Sequence, residues 1–197
     1  MKILIACEYS GVVRDQFIRK GHQAVSCDIN PTHSLGPHIR DDVRAVLNDG
    51  WDMMIAHPPC TYLANSGNKH LYIEPDREKK AQEAAQFFRE LLNAPIPRIC
   101  IENPVMRRAV ERVGCKHDQL IQPYQFGHME TKATCLWLKN LPPLRPLCDL
   151  KEVTYALPAN ERQRIFYMSR GKNRGKERSR TYHGIAWAMA EQWSNVA

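Results

Sequence analysis

Short apolar runs alternate along this chain with amphipathic stretches, and most of the runs end in polar residues. KILIA is followed by GVVRDQFIRKG, a helix closed by Gly21, and QAVSCDI reads as a second strand ended by Asn30-Pro31. WDMMIAH is a third strand. In DREKKAQEAAQFFRELLNA the residues Ala81, Ala84, Ala85, Phe88, Leu91 and Leu92 repeat at three and four, which predicts a long helix with Pro95 beyond its end. RICIEN is a further strand, and VMRRAVERVG a helix stopped by Gly114. QLIQPYQF and TCLWL read as two closing strands that could pair, and GIAWAMAEQW as a last amphipathic helix. DVRAVLND fits a strand edge and a helical turn equally. Strand and helix in alternation predict an α/β fold: a mostly parallel sheet with helices on both faces.

A chain of 197 residues supports one domain with a full core. No apolar stretch approaches the roughly 20 residues of a membrane span, so no membrane partner is expected. MKILIACEYSG meets Gly11 without a basic leader or a small-residue cleavage site, and reads as a first strand rather than a signal peptide. Seven cysteines at irregular spacings fit reduced thiols and a cytoplasmic location. Cys115, His117, His128, Cys135 and Cys148 lack the paired spacing of a zinc site, so no metal is expected.

Charge is concentrated. Of the formal net +7, the window Glu161–Arg180 holds eight Lys or Arg against two Glu. Arg170, Lys172, Arg174, Lys176, Arg178 and Arg180 alternate with small or polar residues, and Phe166 and Tyr167 precede them. One reading is a solvated loop. The other is an arm that follows phosphates, with the aromatics as stacking surfaces.

In open α/β sheets ligands bind beyond the carboxyl ends of the strands. The residues there are Cys7, Glu8, Tyr9, Ser10 and Gly11 after the first strand, and Asp28 and Ile29 after the second. Pro58, Pro59 and Cys60 follow the third, and Glu102, Asn103 and Pro104 end RICIEN. Each has a plain structural reading alone: glycine for a tight turn, Asp28 as a helix cap, Cys60 as apolar filler. Together they put polar and reactive groups on one rim.

In these residues the chain resembles the catalytic domain of the DNA (cytosine-5) methyltransferases, from Lys2 to about Leu138 and again from Thr181 onward. ACEYSGVVRDQF resembles the family's glycine-containing cofactor loop, DDV its adenine contact, and Pro59-Cys60 and Glu102-Asn103 its Pro-Cys and Glu-Asn motifs. The resemblance implies a Rossmann-like class I methyltransferase with an antiparallel closing strand, S-adenosylmethionine as cofactor and DNA as partner. It places the cofactor on Glu8, Tyr9, Ser10, Gly11, Asp28, Ile29, Asp42, Val43 and Pro58, and catalysis on Cys60, Glu102, Pro59 and Asn103. Residues 1–140 and 180–197 would form the catalytic unit. Residues 141–179 would be a short basic insertion where the family has a large recognition domain, with Lys132, Arg170, Lys172, Arg174, Lys176 and Arg178 as nucleic-acid contacts.

The chemistry asks for these residue types. A cysteine thiolate adding at carbon 6 of cytosine makes carbon 5 nucleophilic. Glu102, kept partly protonated by burial, would protonate ring nitrogen 3. Two prolines stiffen the loop that presents Cys60. The chain departs from the family in three places. Glu130, Lys132 and Thr134 stand where Gln-x-Arg-x-Arg is usual, Gly184-Ile185 stands for Gly-Asn, and the insertion is short. Low sequence specificity follows, or a specificity partner or homo-oligomer. The same chemistry on RNA, a free nucleotide or with a modified cofactor stays open. So do a non-catalytic binding module and a cysteine hydrolase using His57.

Overall fold

The computed structural model describes residues 1–65, 75–106, 108–169, 171 and 174–196. The strands are β1 (Lys2–Ala6), β2 (Gln23–Cys27), β3 (His38–Ile39), β4 (Met53–Ala56), β5 (Arg98–Pro104), β6 (Gln119–Ile121) and β7 (Thr134–Lys139). They form one sheet in the order β3-β2-β1-β4-β5-β7-β6. Pairing is parallel from β3 through β5, whereas β7 runs antiparallel to both β5 and β6. The mixed α/β, Rossmann-like architecture is thus present, with the one reversed strand lying inside the sheet between β5 and β6.

Both faces of the sheet are buried, which is why its central strands read as continuous apolar runs. Leu4, Ala6, Met54, Ala56, Ile99 and Ile101 point to one side, against Phe88 and Leu91 of α2 (Arg77–Leu92) and α3 (Ala109–Val113). The alternate residues Ile3, Ile5, Met53, Ile55 and Cys100 point to the other, against α1 (Val12–Arg19) and α8 (His183–Trp193). Trp137 of β7 meets Phe88 edge-on with ring centroids 5.0 Å apart.

Some expectations shift. DVRAVLND resolves as a 3-10 turn, Val43–Val46, opened by Asp42, whose carboxylate accepts from Arg44 N at 2.9 Å. QLIQPYQF is β6 followed by a second 3-10 turn, Pro123–Phe126, because Pro123 cannot donate to a ladder. The helix after RICIEN begins only at Ala109, since β5 stays extended through Pro104 and Val105 O accepts from Asn65 N. The two-residue strand β3 falls in a segment that reads as loop. Among the described residues, four short helices lie between β7 and α8: α4 (Lys151–Ala156), α5 (Ala159–Arg162), α6 (Arg164–Tyr167) and α7 (Arg174–Ser179).

Candidate active site

Strand order reverses between β1 and β4, because β2 lies on one side of β1 while the chain crosses to β4 on the other. This switch point opens a crevice at the carboxyl ends of the strands. Here it is a cleft of about 1010 Å³ whose wall includes Cys7, Tyr9, Asp28, Cys60, Lys132 and Arg178. That volume is at the upper end for a single small-molecule ligand.

The Cys60 loop is held from two sides. His57 N continues the ladder by donating to Ala6 O at 2.9 Å. Asn103 Nδ2 donates to Pro58 O at 3.0 Å from the next strand. Beyond the thiol, Leu63 N and Ala64 N donate to Cys60 O, and Arg77 at the start of α2 donates to Thr61 O at 2.9 Å. Pro58 is buried while Pro59 and Cys60 reach the cleft wall. The double proline therefore works with Asn103 and Arg77 to hold a tight turn in place.

His57 is part of that wall, and its Nδ1 lies 2.8 Å from Glu102 Oε2, with only 9% and 12% of the two side chains exposed. Burial pushes the Glu102 carboxyl up, but the His57 hydrogen bond and charge, Lys132 and Thr181 outweigh it and hold the carboxyl below its ordinary value. Burial lowers the His57 imidazole, yet Glu102 raises it more. Both directions favour the charged forms of the pair, and Glu102 is pushed away from the partly protonated state that burial alone would give it. Strand register brings them together: Ala56 pairs with Ile101 across β4 and β5, so His57 and Glu102 are each the next residue along neighbouring parallel strands.

Two cysteines line the cleft, and their surroundings differ. Burial, Asp28, Cys27 and Asp42 drive the Cys7 thiol far up, with Arg44 alone opposing. Burial and Glu102 also raise Cys60, but Lys132 and Arg178 pull it down. Cys60 is the cleft thiol opposed by two cations. Its thiol has no hydrogen bond from His57, whose Nε2 is buried without a partner among the described residues. Glu102 holds only the Nδ1 side of the imidazole.

The residues expected around a cofactor divide. Tyr9, Asp28 and Ser10 lie on the cleft wall. Asp28 Oδ1 accepts from Asn30 N and Nδ2, both at 2.8 Å, and Asp28 Oδ2 has no partner among the described residues. A carboxylate with a free oxygen at the end of β2 suits a ribose hydroxyl. Glu8 also lines the cleft, but its carboxylate is used on the start of α1, accepting from Val13 N at 2.7 Å, Arg14 N and Ser10 Oγ. Gly11, at φ 75°, leaves room for Arg14: an added Cβ would stand 2.5 Å from Arg14 Nη2. That guanidinium is fully buried and reaches Ser26 Oγ, Pro37 O and Leu35 O, stapling the loop between β2 and β3. Ile29 is exposed, Val43 sits in the core, and Asp42 is occupied with Arg44.

The basic arm is ordered where it is described. Arg170 and Lys172 lie outside the described residues. Arg174, Lys176 and Arg178 belong to α7, whose wall faces the cleft. Tyr9 Oη donates to Lys176 O at 2.8 Å, and Lys132 Nζ donates to Arg178 O at 3.0 Å. Lys132 also lies over the Tyr182 ring at 5.6 Å. Glu130 is taken up elsewhere, by Tyr182 Oη at 2.8 Å and Arg164 Nε at 3.0 Å, and Thr134 is buried at the start of β7.

Among the described residues no helix is long and apolar enough to cross a membrane, and no three His, Cys, Asp or Glu side chains gather as a metal site. No protein-family profile and no curated protein matches the chain. Similar solved structures include an E. coli prophage protein described as a DNA modification methyltransferase, at 15% identity and TM-score 0.45, covering 80% of this chain and 55% of that one. Another is the Entamoeba histolytica methyltransferase EhMeth, at 15% identity and TM-score 0.49, covering 75% of this chain and 57% of that one. The chain thus spans little more than half of either structure, and likeness at this distance carries no function across.

Proposed function

We propose that the protein transfers a methyl group from S-adenosylmethionine to carbon 5 of cytosine in DNA, with Cys60 as the attacking thiolate. The observation that carries this reading is the convergence on one cleft of Cys60, opposed by two cations, Asp28, and His57 with the buried Glu102 bonded to it. Tyr9, Asp28 and Asn30 would hold the cofactor, whose sulfonium supplies an electrophilic methyl group. Residues 1–140 and 180–197 make up the catalytic unit in this reading, and 141–179 the reduced insertion.

Cys60 forms a bond from sulfur to carbon 6, and the electrons of the 5,6 double bond move to carbon 5. Ring nitrogen 3 takes the proton shared between His57 and Glu102, so Glu102 contacts the base and His57 restores its proton. Lys132 and Arg178 favour the thiolate against burial. After transfer the carbon 5 proton passes to solvent water, its electron pair re-forms the 5,6 double bond and expels the Cys60 thiolate, and ring nitrogen 3 gives its proton back to the His57–Glu102 pair. Reaching the base in a duplex requires it to leave the stack.

A duplex carrying 5-fluorocytosine, with S-adenosylmethionine present, is expected to trap the protein covalently, because fluorine cannot leave as a proton. Cys60→Ser should abolish the adduct, and peptide mass should map it to Cys60. An adduct on Cys7, Cys27 or Cys100, or one that survives Cys60→Ser, would overturn the assignment. Nucleoside mass spectrometry of treated DNA and RNA then identifies the polymer.

A further inference from the structure

The arm reads in sequence as a phosphate-tracking surface, yet Arg174, Arg178 and Arg180 all stand on the wall of the cleft that holds Cys60. Their charge is unanswered. Arg174 Nε donates to Met168 O at 2.9 Å, which leaves its terminal nitrogens free of any bond among the described residues. Arg178 and Arg180 have no side-chain hydrogen bond or ion pair among those residues. The two acids on the same wall are no substitute. Glu8 is used on the backbone of α1, and Asp28, although one of its oxygens is free, forms no ion pair with any of the three arginines among the described residues. The placement of α7 is fixed by tertiary contacts, through Tyr9 and Lys132. An ordered guanidinium left without a counter-charge in a cleft is an anion site, and its planar fork matches phosphate oxygens.

We propose that Arg178, supported by Arg174 and Arg180, grips the phosphate of the single nucleotide whose base is presented to Cys60. This deepens the reading above, on which it rests for the place of the base. The arm then acts inside the site, on one nucleotide, and only secondarily along a strand. The phosphate is a monoester in a free nucleotide and a diester in a strand.

Calorimetric titration separates these cases. Wild-type protein should bind deoxycytidine 5′-monophosphate, or the single-stranded trinucleotide TCT, about tenfold or more tighter than deoxycytidine, as expected for a charge-assisted phosphate contact. Arg178→Gln should bring that ligand to within about twofold of the nucleoside, with Arg178→Lys between them. Lys151→Gln, which removes the same charge from an exposed position on α4, should leave the preference intact. Dependence on Arg178 with the monophosphate identifies a monoester site, and with TCT alone a diester site; either supports the proposal. Equal binding of nucleoside and both phosphates, or a preference untouched by Arg178→Gln in a variant of unchanged thermal stability, would overturn it. Because the readout is binding, a protein that binds phosphate in this way but leaves cytosine unmethylated keeps the clamp and loses only the assigned reaction.

Discussion

The His57–Glu102 contact joins two groups that each need the other. Removing one partner of a buried ion pair leaves an uncompensated charge and costs about 3–5 kcal/mol. The folded His57 value is raised, so its contribution is complete below the unfolded imidazole value of about 6.5 and is lost as pH rises through the folded value. The folded Glu102 value is lowered, so its contribution is present above the unfolded carboxylate value of about 4.3 and is lost as pH falls through the folded value. The pair stabilises most in the window between those limits. His57→Gln is expected to lose about 3 kcal/mol of unfolding free energy near pH 6 and clearly less at pH 9, measured by urea denaturation. A loss that does not vary with pH would mean that the imidazole carries no extra proton. The pairing was hidden in sequence because 45 positions separate the two residues, and only strand register brings them side by side.

Among elements, α2 and α8 were legible because each repeats its apolar residues at helical spacing and both bury them. The short strand β3 was not, since two residues, His38 and Ile39, carry no periodicity and are fixed by pairing with Ser26 and Cys27. The arm was misleading for a similar reason. Gly171 and Gly175 argue for loose backbone, whereas α7 is set by Tyr9 and Lys132, which lie far away in sequence. Gly184 is the opposite case, a glycine whose local duty can be stated. Its backbone N donates to His128 Nε2 at 3.0 Å, and an added Cβ would lie 1.8 Å from Phe126 O. The start of α8 and the 3-10 turn Pro123–Phe126 approach as closely as backbones can. Gly184→Ala should therefore force them apart and cost about 2–4 kcal/mol, with the loss seen in chemical denaturation. Stability within about 0.5 kcal/mol of wild type would show that this junction gives way freely.

At the scale of the molecule, the rim of polar strand ends was the most readable part of the site. Pro59, Cys60, Asp28 and Tyr9 do stand on one cleft wall. What sequence could not supply was the division of labour behind it: Glu8 and Gly11 serve α1 and Arg14, and Asn103 serves the Pro58 carbonyl. The charge of the arm has its own molecular consequence. If its cations hold phosphates, DNA affinity should fall steeply with salt, and neutralising Arg170, Lys172, Arg174 and Lys176 together should flatten the log–log slope by about 2 to 3. Filter binding at several salt concentrations measures this, and an unaltered slope would return the segment to a solvated surface.

The Tyr9 hydroxyl that holds the Lys176 carbonyl spans the two halves of the cleft. In the proposed reading one end of this tether belongs to the methyl donor and the other to the nucleotide. Occupancy on one side then steadies the seat on the other, and the two affinities must rise by the same factor. In that reading whichever ligand arrives first readies α7 for the other, so the tether links the two seats without imposing an order on them.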